Sequence, residues 1–232
     1  MARRILLGTP AHDWACDVRY IHSFGMTVKA CAGNNVDLRW LFPAGQSLIQ
    51  QARNELIYEA MTNGFDDLVF IDADQGWTAE WFMRLISLPV DCVGAPIRKK
   101  TDDEITYNVK VRGGVDTIII DHETGLLTAP DMAVGTGFLR LSRHAMQVLW
   151  DNSEKYSAPD GRRMAWIFDV RPVNGELVSE DTHVCDKLRA HGIPTWIDPS
   201  ILPEHYGLKT FKGDFLAWLN AIKDRQALQR AA

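Results

Sequence analysis

The chain has 232 residues, of which 46% are hydrophobic and 24% charged, and its formal net charge is −5. This length suits one α/β domain, and residues 1–232 are interpreted as a single domain without repeats or linkers. The composition is that of a soluble globular protein, and the negative charge excludes a whole-protein field that attracts nucleic acid or anionic membranes. The basic clusters at residues 98–100 and 162–163 are interpreted as solvated loop charge.

The cysteines and the apolar runs indicate the cellular compartment. The four cysteines form no C-x-x-C pair, which argues against a disulfide scaffold or a zinc ribbon and predicts buried thiols in a reducing compartment. No run is long enough for a signal-peptide core or a membrane span. We therefore expect a cytosolic protein.

The first half of the chain alternates predicted strands and helices. Strands are predicted at residues 4–9, 26–32, 68–72 and 92–95. Helices are predicted after the first strand and closing near Gly25, at 47–63 with Ser47 as N-cap and Asn63–Gly64 as the stop, and from Thr78 to about residue 88. This alternation predicts an open, mostly parallel sheet, and residues 1–97 are assigned as the nucleotide-binding half.

In the second half the pattern changes. A hairpin is predicted from residues 105–112 and 115–121 around Gly113–Gly114, since paired glycines tolerate the positive φ of a tight turn. A strand at 136–142, a helix at 143–152, a helix at 180–191 and a strand at 195–198 follow. Residues 98–207 are assigned as the acceptor-binding half, and an amphipathic C-terminal helix is expected at about 211–230.

Two aspartates end the most apolar predicted strand. Because side chains alternate faces along a strand, Asp72 and Asp74 point the same way. They lie at the carboxyl end of a buried parallel strand, where open α/β sheets bind ligands. Two carboxylates there can position Mg²⁺ or Mn²⁺ and leave coordination sites for diphosphate oxygens. An Asp-x-Asp that merely ends a strand is the alternative.

Three further features could join this site. His205 lies in a loop past the last strand, and a neutral imidazole is an acceptable Mn²⁺ ligand. Glu180 and Asp181 open a helix, either as dipole-stabilising acids or as a general base and hydroxyl anchor. The glycines of Gly135-Thr136-Gly137 would let the backbone approach a sugar or acceptor closely.

Taken in order, these motifs resemble a known family. The chain resembles GT-A-type glycosyltransferases, namely the small enzymes of phages and large DNA viruses and the fungal mannosyltransferase group of the same fold. The resemblance runs from about residue 5 to 207 and is carried by the motifs Gln51-Ala-Arg-Asn54, Phe70-Ile-Asp-Ala-Asp74, Val93-Gly-Ala-Pro96, Gly135-Thr-Gly-Phe138, Ser179-Glu-Asp-Thr182 and Glu204-His-Tyr-Gly207. It implies a Rossmann-like GT-A domain, in which a small antiparallel hairpin region in the second half accompanies the mostly parallel sheet.

The resemblance also implies roles for individual residues. Asp74 would be a direct ligand of Mn²⁺ or Mg²⁺, Asp72 would lie nearer the donor ribose, and His205 would complete the metal site. The remaining matched positions are two pairs on the donor side, Thr9 with Pro10 at the base and ribose and Arg53 with Asn54 at the nucleotide sugar, and the acidic pair Glu180 and Asp181 on the acceptor side. The segment Gln75-Gly76-Trp77 departs from the family pattern.

The reaction implied is the transfer of a sugar from a nucleoside-diphosphate sugar, with a UDP-sugar expected ahead of a GDP-sugar. A divalent ion would neutralise charge on the leaving diphosphate, and Lys99 or Arg98 are candidate helpers from a loop. If the enzyme inverts, Asp181 is the candidate base; if it retains, Glu180 and Asp181 bind hydroxyls instead.

The acceptor and two rival functions stay open. A glycan and a hydroxymethylated base in phage DNA are both candidate acceptors, and the DNA alternative needs an aromatic such as Trp77, Trp81 or Trp166 to stack a flipped base. For a phage-encoded enzyme the compartment is the host cytosol. A nucleotidyltransferase would need a glycine-rich loop that Gly8-Thr-Pro-Ala11 does not provide, and a non-catalytic nucleotide- or sugar-binding module would need neither metal nor acidic pair.

Overall fold

The computed structural model describes residues 2–102 and 104–231. A mixed sheet of eight strands forms its centre, and helices cover both faces. The strands are β1 (Arg3–Gly8), β2 (Val36–Leu41), β3 (Asp67–Ile71), β4 (Gln75–Gly76), β5 (Cys92–Gly94), β6 (Val109–Val111), β7 (Ile119–Ile120), β8 (Leu127–Thr128), β9 (Met132–Val134), β10 (Phe138–Ser142), β11 (Lys155–Ser157), β12 (Arg163–Ala165), β13 (Arg171–Val173), β14 (Glu176–Val178), β15 (Trp196–Ile197), β16 (Glu204–Tyr206) and β17 (Thr210–Phe211). The helices are α1 (Val18–Gly33), α2 (Ile49–Thr62), α3 (Ala79–Ser87), α4 (Arg143–Asp151), α5 (Glu180–Ala190) and α6 (Phe215–Ala231), and a 3₁₀ turn spans Val115–Thr117.

The central sheet has the strand order β2-β1-β3-β10-β5-β15-β8-β7. The pairs β1–β2, β1–β3 and β5–β15 are parallel, and β10 runs antiparallel between β3 and β5. Only β10 and β8 run against the direction of the other strands. Separate antiparallel pairs flank the sheet, among them the hairpins β11–β12 and β13–β14. The predicted architecture, a mostly parallel sheet with small antiparallel hairpins, is confirmed.

Alternate residues of the central strands face two buried apolar layers. Leu68 and Phe70 of β3 pack with residues of α2, α4 and α5, whereas Val69 and Ile71 pack with α1 and α3. Strands buried on both faces have no polar alternation, which is why residues 68–71 are continuously apolar. Asp72 follows Phe70 on the face toward α2 and α5, because strand side chains alternate.

Two predicted elements are wrong. Residues 26–32 are not a strand but the second half of α1, which Asp17 caps by accepting a hydrogen bond from the Arg19 backbone N–H. The helix buries Ser23 and Thr27 because they accept hydrogen bonds from the Trp77 backbone N–H (3.0 Å) and indole Nε1–H (2.8 Å). The apolar period of the helix is therefore interrupted by polar residues, and the second strand begins only at Val36.

The hairpin predicted around Gly113–Gly114 does not form. Strand β6 pairs instead with β9, with Val109 opposite Val134 and Val111 opposite Met132, while β7 pairs with β8. The side chains of β9 and β8 are buried, so that pairing with them is more favourable for β6 and β7 than a pairing of β6 with β7. The turn Asn174-Gly175, with φ of 52° and 86°, does carry a hairpin, β13–β14.

The remaining predicted elements agree with the structure within a few residues. Leu48 rather than Ser47 is the N-cap of α2, and it makes no side-chain capping bond. Thr78 and Ser142 cap α3 and α4 by accepting backbone hydrogen bonds.

All four cysteines are free thiols, but Cys16 is exposed, so the prediction of a buried thiol is wrong there. No helix in the described residues combines the length and apolarity that crossing a membrane requires.

Candidate functional site

The loop after β3 is held in a fixed shape by backbone hydrogen bonds. The Asp72 N–H donates to the Gly137 carbonyl (3.0 Å), and the Gln75 N–H donates back to the Asp72 carbonyl (3.1 Å). A Cβ at Gly137 would lie 2.9 Å from an oxygen of the Asp72 carboxylate, so a larger residue here would displace that carboxylate. The two aspartates are thus set at the carboxyl edge of the sheet, as the sequence predicts.

The histidine reaches the aspartates through a second, smaller sheet. Strand β16 pairs antiparallel with β4, which places His205 opposite Gln75, and the Tyr206 N–H donates to the Asp74 carbonyl (2.8 Å). Gly76 makes room for this pairing, because a Cβ there would lie 1.9 Å from the Tyr206 hydroxyl oxygen. The segment that departs from the family pattern is therefore the strand that brings His205 in.

Asp74 and His205 form a pair suited to a hard divalent cation. The His205 Nε2 lies 3.4 Å from the Asp74 Oδ2, and the His205 Nδ1 lies 2.9 Å from the Arg98 carbonyl oxygen. A proton on Nδ1 satisfies that carbonyl, so an Nε2 that carries no proton for Asp74 could present its lone pair to a metal ion, the usual arrangement of a metal-binding histidine. No group of three or more His, Cys, Asp or Glu side chains within residues 2–102 and 104–231 could hold an ion alone. Two protein ligands completed by substrate phosphates fit Mg²⁺ or Mn²⁺.

Lys100 also contacts Asp74, although its cluster is predicted to be solvated. The Lys100 Nζ lies 2.5 Å from the Asp74 Oδ2, the oxygen that faces His205. Burial raises the pKa of Asp74, but the hydrogen bonds from His205 and Lys100 outweigh burial and lower this pKa to about 2. Asp74 is therefore ionised throughout the physiological pH range.

Arg53 is the centre of a charged network on the other side of Asp72. Its guanidinium is 3% exposed and donates to the Glu180 Oε1 (2.7 Å) and the Asp181 Oδ1 (2.9 Å). A second nitrogen lies 3.6 Å from the Asp72 Oδ1. Burial raises the pKa of Asp72, and the charge of Arg53 opposes that rise. One buried cation thus holds three predicted site carboxylates together.

Asp181 keeps one carboxylate oxygen free of these contacts. The Thr136 hydroxyl donates to the Asp181 Oδ1 (2.6 Å), the oxygen that Arg53 also contacts. The Oδ2 has no hydrogen-bond partner in the part of the chain that the structure describes, and the side chain is 27% exposed. Asp181 is thereby oriented by two donors at one oxygen and open to a substrate hydroxyl at the other.

Two cavities meet at Asp72. One, of about 460 Å³, lies between the loop after β1 and Asp74; Pro10, Asp17 and Tyr206 are among its lining residues. The other, of about 110 Å³, is enclosed by Arg53, Asp181, His205 and residues 135–137. The first is large enough for a nucleotide, and the second is bounded by the charged network. A larger cavity of about 890 Å³ lies beyond Tyr206, but neither aspartate nor His205 lines it.

Several predicted site residues are placed away from these cavities. The Thr9 side chain is buried and its hydroxyl oxygen lies 2.5 Å from the Tyr20 hydroxyl oxygen. The Asn54 amide is 1% exposed: its oxygen accepts from two backbone N–H groups at residues 167–168, and its nitrogen donates to the Phe168 carbonyl. Both side chains support the walls of the site. Trp77 is 5% exposed within the core, which removes it as a surface for stacking a base.

The sequence analysis missed two residues of the site. Lys100 could have been noticed as the end of a basic cluster shortly after β5, but nothing in the sequence indicates which carboxylate it contacts. Gln75, which is 1% exposed and has its Nε2 3.3 Å from the Asp74 Oδ1, follows the two aspartates directly. The sequence shows an amide beside two acids but not that it is buried.

Comparisons with known proteins bear on the fold. The chain matches no family model and no curated protein. It is similar to the crystal structure of A197 from STIV, with 14% identity, a TM-score of 0.52 and coverage of 88% of this chain and 86% of that chain. A putative nucleotide-diphospho-sugar transferase from Desulfovibrio desulfuricans G20 matches with 14% identity over 42% of this chain and 59% of that chain, with a TM-score of 0.32. A glycosyltransferase involved in the glycosylation of the major capsid of PBCV-1 matches with 8% identity over 63% of this chain and 65% of that chain, with a TM-score of 0.34. The first likeness shows a shared fold, and the other two are too low in TM-score to add to it.

Proposed function

We propose that the protein is a metal-dependent glycosyltransferase that moves a sugar from a nucleoside-diphosphate sugar to a hydroxyl acceptor. One observation carries this proposal. At the carboxyl edge of the sheet, a cation-binding pair, Asp74 and His205, stands beside an acidic pair, Glu180 and Asp181, with Asp72 and Arg53 between them. Leaving-group stabilisation and proton acceptance are the two tasks of sugar transfer, and each has its residues here.

The donor is expected to lie along the two cavities. Its nucleoside would occupy the cavity beside Pro10 and Asp17, its diphosphate would lie at Asp74, and its sugar would face the small cavity at Gly137. Asp74 and His205 would hold the divalent cation, which when bound neutralises negative charge on the departing diphosphate. Mn²⁺ suits the nitrogen ligand better than Mg²⁺ does. A UDP-sugar is expected ahead of a GDP-sugar.

Asp181 is placed to accept a proton. In an inverting reaction, its Oδ2 would take the proton from the acceptor hydroxyl as oxygen attacks the sugar. Thr136 and Arg53 hold the carboxylate at the Oδ1 and so fix the direction of the Oδ2. In a retaining reaction, the same oxygen would bind a hydroxyl without taking its proton. A glycan hydroxyl and a hydroxymethyl group on DNA both satisfy this geometry.

Donor hydrolysis tests the proposal. The protein is incubated with a panel of nucleoside-diphosphate sugars and Mn²⁺, and the released nucleoside diphosphate is measured. We expect release from at least one donor, its loss in excess chelator, and its loss in Asp74→Ala. Asp151→Ala is the matched control, because that aspartate lies on α4 and contacts only Gln147 among the described residues. Hydrolysis absent for every donor, or unaffected by chelator and by Asp74→Ala, would refute the proposal.

A further inference from the structure

The contact between Lys100 and Asp74 has a chemical meaning beyond a surface ion pair. The Lys100 ammonium lies 2.5 Å from the one Asp74 oxygen that also faces His205, at 3.4 Å. A metal ion held between Asp74 and His205 would have to approach the oxygen that this ammonium already contacts. The two cations would repel each other there and so compete for Asp74.

The Lys100 side chain can also move away from this position. Its side chain is 34% exposed and its stem passes Gly207, where a Cβ would lie 3.3 Å from the Lys100 Cδ. The neighbouring backbone is fixed: the Lys99 N–H donates to the Thr106 carbonyl (2.8 Å), and the Arg98 guanidinium donates to the Lys212 carbonyl (3.0 Å). A flexible four-carbon stem on a held backbone lets the ammonium move while the loop stays in place.

The charge balance of the site indicates when the Lys100 ammonium would move away from Asp74. Four carboxylates (Asp72, Asp74, Glu180 and Asp181) are ion-paired with two cationic side chains, Arg53 and Lys100. A divalent cation alone would have to displace Lys100 from Asp74 without offering the ammonium another partner. A nucleoside diphosphate brings phosphate oxygens, which bind ammonium groups well. Lys100 would then exchange one anion for another at little cost.

We propose that Lys100 is an internal cation of the site, which occupies the position beside Asp74 until a diphosphate arrives and then binds that diphosphate. The diphosphate step rests on the proposed function, whereas the competition with a metal ion does not. Binding of metal and of nucleotide is thereby coupled: the protein alone binds a divalent cation weakly, and the diphosphate relieves the competition.

Metal titration without turnover tests the first step. Free Mn²⁺ is followed by electron paramagnetic resonance in wild type, Lys100→Met and Lys212→Met, with no nucleotide present. Methionine keeps the length of the side chain and removes its charge. We expect Lys100→Met to bind Mn²⁺ about three- to fivefold more tightly, since a partly exposed ion pair of this kind no longer competes. Lys212→Met is the matched control, because its ammonium lies 3.5 Å from Glu204 and not at Asp74.

Titration with UDP at saturating Mn²⁺ tests the second step. Lys100→Met should bind UDP about tenfold more weakly, the loss expected for one charge-assisted hydrogen bond, and circular dichroism checks that the variant is folded. An unchanged or weaker Mn²⁺ affinity in Lys100→Met, or an equal gain in Lys212→Met, would overturn the competition. An unchanged UDP affinity would overturn the exchange. Tighter Mn²⁺ binding in Lys100→Met, together with no donor hydrolysis by the wild-type protein, would instead refute the transferase proposal and leave the competition standing.

Discussion

Replacing Arg53 by methionine should destabilise the protein strongly and in a pH-dependent way. The substitution removes a 3% exposed guanidinium and leaves Glu180, Asp181 and Asp72 close together without their shared cation. Removing one partner of a buried ion pair costs about 3–5 kcal/mol, because the remaining charge stays buried and uncompensated. The free energy of unfolding at pH 8 should therefore fall by about that amount.

The pH dependence follows from the direction of the Asp72 pKa. Burial already raises this pKa above that of the unfolded chain, and Arg53 opposes the rise, so its removal raises the pKa further. A carboxyl group with a raised folded-state pKa binds more protons when folded, so its contribution to stability falls as pH rises from the unfolded-state pKa to the folded-state pKa. The defect of Arg53→Met should thus be largest at pH 8 and smaller at pH 5.

Urea denaturation at the two pH values measures both effects. Arg162→Met serves as the control, because Arg162 pairs with Glu55, Glu59 and Asp160 but is 32% exposed. Surface pairs of this kind contribute about 0–1 kcal/mol. A cost for Arg53→Met below about 1 kcal/mol, or a cost that does not shrink at pH 5, would refute the idea that Arg53 compensates the carboxylates.

Three further predictions concern single residues around the aspartates. His205→Ala should weaken Mn²⁺ binding about 10-fold or more in the same resonance titration, whereas the free energy of unfolding should fall by only about 1 kcal/mol, since one hydrogen bond, to the Arg98 carbonyl, is lost. Asn54→Ala should lower the free energy of unfolding by about 2–4 kcal/mol, because it strands two buried backbone N–H groups; a cost below about 1 kcal/mol would contradict this. Gly76→Ala should lower both the melting temperature and Mn²⁺ affinity, because its Cβ would lie 1.9 Å from the Tyr206 hydroxyl oxygen, whereas Gly25→Ala, with nothing within 4 Å, should be neutral or stabilising. Equal melting temperatures for the two glycine variants would contradict the steric argument.

The sequence indicated β1, β3, β5, β10 and β15 of the central sheet because their signals are local. Residues 68–71 are apolar on both faces of β3, and the stop signal Asn63–Gly64 marks the end of α2. The signals failed where a distant partner decides the local structure. Ser23 and Thr27 are buried in α1 because they bind Trp77, about 50 residues away in the sequence, and no local pattern contains that information.

The same limit applies to the site. The position of Asp72 and Asp74 at the edge of the sheet could be predicted, because strand alternation and a parallel sheet can both be inferred from the sequence. That Arg53 contacts Asp72, Glu180 and Asp181 at once follows only from the tertiary structure, which brings Arg53 of α2 to the first residues of α5.

The pairing of β4 with β16 also determines the order in which the site is assembled. His205 lies 131 residues after Asp74 and reaches it only through this pairing. A fragment ending at Ser200 would retain β1, β3 and the Arg53 network but would lack the histidine and the strand that carries it. During synthesis, the aspartates therefore leave the ribosome long before the histidine that the proposed metal site requires.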